Sequence, residues 1–238
     1  MSRANGVPFP SSVRTSATRR GALGLLGGGL LAQTAIPVAS AAIAAFPLRD
    51  LRFDIYRKGE KIGEHGVRFS PAGDGRRAVT EVDLAVKVAF ITAYRYAQTG
   101  EDVWRDDGVL VSTRIRTVDD GKETLVTIAP EDGRLRVSGP KGDYALPFGA
   151  MTDINFWNEA ITRQSRLIDS QTGELVTIAV KPDAVEKLAI GGRTITARRF
   201  AMSATKGRGG TAWYDEAGSL VQATVLTRGE TLEYRLAA

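Results

Sequence analysis

From Ala78 to Phe90 the chain reads AVTEVDLAVKVAF, and this stretch limits the possible folds more than any other. Ala78, Thr80, Val82, Leu84, Val86, Val88 and Phe90 fall on one face of an extended chain. Val79, Glu81, Asp83, Ala85, Lys87 and Ala89 fall on the other, where the ionic side chains collect. A strict period of two predicts a half-buried antiparallel strand with one face to water. At ~3.3 Å per residue the strand is about 43 Å long. Strands of that length suit a large curved sheet or barrel better than a small sandwich.

The same pattern recurs along the chain, interrupted by turn chemistry. LRFDIYR, IGEHGVRF, TAYRYAQTGEDVWR, VLVSTRIRTV, ETLVTIA, RLRVS and YALP read as strands, as do ELVTIAV, EKLAI, RTITARRFAM, TAWYD, SLVQATVL and TLEYRLA. Between them stand KGE, DDG, EDG, GG and RGE, where Gly, Asp and Asn-like residues tolerate the positive φ of hairpin turns. The predicted fold class is all-β: an antiparallel up-and-down meander of about thirteen strands, forming a curved open or closed barrel with one short helix. The helix is placed near residues 152–163, in MTDINFWNEAITRQSRL. There Ile154, Trp157 and Ile161 recur at helical spacing after Thr152 or Asp153 as N-cap.

The N-terminal residues have a different character. Arg19–Arg20 close a basic segment, Ala22 to Val38 carry no charge, and Ala39–Ser40–Ala41 supply small residues for cleavage. Residues 1–41 are read as a cleaved export signal. TRRGAL points to the twin-arginine route, through the export machinery that accepts folded proteins, with the general secretory route as the alternative. The apolar run is too short and too rich in glycine for a membrane span. The expected product is a single barrel-like domain over residues 42–238, periplasmic or secreted, with no stable membrane span.

Charge excludes one class of partner. The formal charge is +5, and the first 41 residues hold Arg3, Arg14, Arg19 and Arg20 with no acid, so the remainder is nearly neutral. No basic surface is left for nucleic acid. The absence of cysteine rules out disulfides and thiolate metal sites. With a single histidine, no metal site or cofactor motif is recognised; Asp106–Asp107 and Asp119–Asp120 precede Gly, where turns want Asp.

That histidine, His65, shares strand parity with Val67 and Phe69 and is flanked by Gly63 and Gly66. Catalysis by His65 would require an orienting acid, and Glu64 points away in a strand. No residue is assigned a catalytic role. His65, Tyr94, Tyr96, Trp104 and Trp157 are the candidate ligand-binding residues, as the lining of an apolar cavity in a curved sheet. The first functional reading is a non-enzymatic binding protein for a lipid or other hydrophobic small molecule. The alternatives are an envelope hydrolase or isomerase using His65, and a structural or partner-binding scaffold with a packed core.

Several segments carry a family likeness: FDIYRKGEKIGEH, VKVAFITAYRY, WYDEAGSLV and the closing LEYRL. Together they resemble an uncharacterised family of exported bacterial β-meander proteins known only as a domain of unknown function. The likeness runs from Phe46 to Leu236. It implies the fold and export but assigns no catalytic residue. A second, fold-level similarity is to the half-barrel carriers that shuttle lipoproteins.

Overall fold

The computed structural model describes residues 49–88 and 91–237. The expected leader over residues 1–41, the start of the domain at 42 and the strand tip at Phe90 lie outside the described residues. The rest is one antiparallel sheet. Strands β1 (Leu51–Arg57), β2 (Glu60–Ala72), β3 (Gly75–Val88), β4 (Ile91–Arg105), β5 (Leu110–Asp119), β6 (Lys122–Glu131), β7 (Arg134–Gly139) and β8 (Gly142–Leu146) follow one another. A connecting segment then leads to β9 (Arg166–Ile168), β10 (Leu175–Ile190), β11 (Arg193–Ala204), β12 (Arg208–Tyr214), β13 (Leu220–Thr227) and β14 (Glu230–Leu236).

The spatial order is β8-β7-β6-β5-β4-β3-β2-β1-β14-β13-β12-β11-β10-β9. The first and last strands pair side by side, Phe53 opposite Leu236, so the two arms of the meander are joined through their termini. The arms end at β8 and β9, between which no ladder forms. The sheet is therefore curved and barrel-like but open. A narrow seam partly bridges the gap: the Lys141 amide donates to the Thr172 carbonyl at 2.7 Å, and the Tyr144 hydroxyl to the Gly173 carbonyl at 2.7 Å. A Cβ built on Gly142 would lie 2.3 Å from the Gly173 oxygen, so this approach requires glycine.

Turn chemistry explains the tight pairing of neighbours. Lys58–Gly59, Asp120–Gly121, Asp132–Gly133, Gly191–Gly192 and Arg228–Gly229 all have two consecutive positive φ values, the geometry of a type I′ hairpin loop. The expected alternation in β3 is present: Ala78, Thr80, Val82 and Leu84 are buried, while Glu81, Asp83 and Lys87 are exposed. Inward residues of the other strands, among them Leu51, Phe53, Ile55, Val67, Ile128, Val137, Tyr214 and Leu220, complete one core.

Two details differ from the sequence reading. ELVTIAV and EKLAI form one strand, β10, with a bulge between Pro182 and Ala184, and the short β9 brings the total to 14 strands. The predicted helix near 152–163 is instead two 3-10 turns, Asp153–Trp157 and Glu159–Arg163. Asn158 between them is extended (φ −101°, ψ 117°), and its side chain accepts from the Ala160 amide at 2.9 Å. Side-chain amides here compete with the helical backbone and win. The apolar stripe survives: Ile154, Trp157 and Ile161 are all buried.

Candidate functional site

The connecting segment between β8 and β9 lies inside the curve of the sheet, tied down on several sides. Asn155 Nδ2 donates to the fully buried Asp102 on β4 at 2.6 Å, and the Thr113 hydroxyl of β5 donates to the same carboxylate. Burial raises Asp102 to about 6 despite these donors. On the opposite wall the Tyr214 hydroxyl donates to the Phe156 carbonyl at 2.7 Å, and Arg198 pairs with Glu159 at 2.8 Å. The segment thereby fills part of the interior and leaves the remainder as a cavity of about 480 Å³.

The walls of that cavity are mostly aliphatic. Val82, Leu84 and Val86 come from β3, Val176 and Ile178 from β10, and Val225 and Leu232 from the C-terminal hairpin, with Ile154 and Phe156 from the segment. Long strands place these residues at every second position, so one face of a regular sheet builds most of the lining.

Three of the five sequence candidates, His65, Tyr94 and Tyr96, line the cavity. Trp104 and Trp157 do not. They are fully buried in the core, stacked edge to face with centroids 5.7 Å apart, and Trp157 also meets Phe69 at 5.0 Å. Their part is to seat the connecting segment against the sheet.

His65 is 1% exposed and sits among aromatic edges, with the rings of Phe156, Tyr234 and Phe53 at 5.1, 5.8 and 6.1 Å. Neither ring nitrogen has a hydrogen-bond partner. Burial pulls its pKa down to about 3, so the imidazole is neutral at ordinary pH. Among the described residues no carboxylate orients it, which leaves it there without the second member of an acid–base pair. Tyr96 and Tyr234 also line the cavity, and burial raises both hydroxyls above their usual pKa.

Ionic groups gather where the cavity meets the surface. Arg208 of β12 pairs with Asp169 and lies 3.6 Å from Asp153. Burial raises Asp153, whereas the Arg208 guanidinium holds Asp169 below its usual value. On another side Arg228, in the β13–β14 turn, pairs with Asp119 at the end of β5. Tyr94 donates to that same carboxylate at 2.8 Å, and burial pushes its hydroxyl up to about 12. Arg57 pairs with Glu230 at 2.9 Å.

Sequence reasoning missed Tyr234, Phe156, Arg208 and Arg228. Tyr234 was within reach, since it alternates with Leu232 and Leu236 in the last strand. Arg208 opens β12 and Arg228 stands in a hairpin turn, and nothing local reveals partners 39 and 109 residues away. Among the described residues, no cluster of His, Asp or Glu could hold a metal ion, and no helix is long and apolar enough to cross a membrane.

Comparison with known proteins agrees with this architecture. A crystal structure of a beta-barrel-like protein of domain of unknown function DUF1849 from Brucella abortus superposes with a TM-score of 0.57. It covers 79% of this chain and 94% of that one at 13% identity, a likeness of fold. No curated protein matches the sequence. Residues 53–237, nearly the whole described sheet, match the model of the domain of unknown function DUF6134, and the chain belongs to that family.

Proposed function

We propose that this protein is an exported, non-enzymatic binding protein that holds a lipid or other hydrophobic small molecule in the concave face of its sheet. The observation that carries the reading is the cavity of about 480 Å³ with largely aliphatic walls. That volume falls within the ~300–1,000 Å³ of small-molecule sites, and its mix of apolar lining with a few convergent polar groups is what such sites use. A scaffold with a packed core would have filled this space. A hydrolase or isomerase built on His65 finds no support either, because the ring lacks an orienting acid. Export to the periplasm or beyond belongs to the same proposal and rests on the basic, apolar and small-residue pattern of residues 1–41.

The test is native mass spectrometry of the protein purified from its own envelope fraction without detergent, followed by solvent extraction. A co-purifying apolar molecule is the expected result. Purified protein should also brighten N-phenyl-1-naphthylamine, an uncharged probe that fluoresces in apolar surroundings, with saturable one-site binding. A bare polypeptide mass together with no probe binding would sink the proposal.

A further inference from the structure

The polar groups of the cavity say more about its occupant than its volume does. Three arginines line it among the described residues, and each is already neutralised: Arg57 by Glu230, Arg208 by Asp169, and Arg228 by Asp119. The lining carboxylates are equally committed, Glu230 and Asp169 in those pairs and Asp153 to the Ser170 amide at 2.9 Å and to Arg208. A charged headgroup entering the apolar interior would have to break one of these pairs or remain without a counter-ion, and either course is costly.

The unpaired hydrogen-bonding capacity is neutral. His65 offers one N–H donor and one ring-nitrogen acceptor, both buried and unused. Tyr96 and Tyr234, which also line the cavity, each add an uncharged phenolic hydroxyl that can donate and accept. The three residues lie on β2, β4 and β14, so their polar atoms come from different parts of one inner face. A native protein seldom leaves a buried imidazole with both nitrogens empty, and the deficit points to a missing partner.

Resting on the carrier reading, we propose that the ligand is an uncharged long-chain amphiphile whose hydroxyl or carbonyl oxygen is recognised by His65 with Tyr96 and Tyr234. An alcohol can accept from one of these groups and donate to another, whereas a carboxylate would bring a charge that no lining group is free to balance. The same argument disfavours an alkylammonium headgroup.

The experiment displaces N-phenyl-1-naphthylamine from the full-length protein with two probes of equal chain length, 1-dodecanol and dodecanoate, at pH 8. The wild type should bind 1-dodecanol at least tenfold more tightly. Part of any such gap reflects the alcohol's poorer solubility in water, so the variants decide. In His65→Phe the advantage of the alcohol should shrink several-fold while dodecanoate affinity stays constant. Tyr96→Phe, which removes one oxygen without altering the ring, should shrink it as well and serves if the His65 variant fails to fold. Equal or tighter binding of dodecanoate, or an alcohol preference unchanged in both variants, overturns this inference yet leaves the carrier reading standing. If neither the fluorescent probe nor either dodecyl compound binds, the carrier reading falls first.

Discussion

Two buried titratable residues make opposite demands on folding. His65, held near 3 rather than 6.5, is neutral in the native state but protonated in the unfolded chain below about pH 6.5. Its contribution is complete above that pH and is lost as pH falls towards 3, ~5 kcal/mol in all at 1.36 kcal/mol per unit. Asp102, raised from 3.8 to about 6, behaves inversely. Its contribution of ~3 kcal/mol is complete below pH 3.8 and disappears as pH rises through 6. Between about pH 4 and 6, folding releases one proton at His65 and takes up one at Asp102, so the two slopes cancel. Urea midpoints between about pH 4.5 and 6 are therefore expected to be steady for the wild type as far as this pair decides. Asp102→Asn should lose stability on acidification, and His65→Phe should gain it, each by up to ~1.4 kcal/mol per pH unit. Parallel pH profiles in all three proteins would show that these residues titrate normally. Trp157 tests packing instead: truncation to Ala in a fully buried site should cost about 3–5 kcal/mol, seen as a lower denaturation midpoint.

At the scale of elements, the β13–β14 turn and the end of β5 stand on opposite walls, with β1, β2 and β3 between β4 and β14 along the sheet. Arg228 nevertheless reaches Asp119, and its guanidinium lies 5.5 Å from the centre of the Tyr94 ring. This contact bridges the walls of the cavity at the surface, and the exposure of Arg228 (61%) leaves it open to screening by salt. Asp119→Asn should speed release of N-phenyl-1-naphthylamine several-fold in stopped-flow dilution. Salt at 0.5 M, an arbitrary high value at which ~3–5 Å screening lengths apply, should speed the wild type but not the variant. Equal release rates would mean the pair does not restrain the entrance. How far the sequence discloses such elements depends on range. Period two and the Asp-Gly and Gly-Gly turns are local, so nearly every strand and hairpin was legible. The bulge at Asp183 was not: beyond it Glu186, Leu188 and Ile190 turn to the outer face, where Leu188 and Ile190 meet Trp213 and Val221. The connecting segment kept its apolar spacing but not its helix, because Asn155 and Asn158 bond elsewhere. His65, Tyr94 and Tyr96 were found from strand parity, whereas the ion pairs that neutralise the cavity depend on contacts no local pattern encodes.

For the whole molecule, the decisive pairing is between the ends of the domain. Phe53 lies opposite Leu236, so β1 cannot be covered on that side until the last strand has been made. Loop-closure entropy makes such a contact slow to form, and an unpaired β1 edge is exposed meanwhile. A translocation route that accepts only folded cargo suits a chain of this kind, since folding is completed before transit. The export proposal reads TRRGAL at residues 18–23 as the address for that route. Replacing Arg19 and Arg20 together by Lys keeps the charge and the length of the leader, and so separates receptor recognition from simple electrostatics. Fractionation followed by immunoblotting should then find the full-length precursor inside the cell, folded and protease-resistant, with little processed protein outside the cytoplasmic membrane. The wild type should appear there as a shorter, cleaved species. Unchanged export of the Lys-Lys variant would reject the twin-arginine route, and the sheet would then have to close its terminal strands after transit as an unfolded chain.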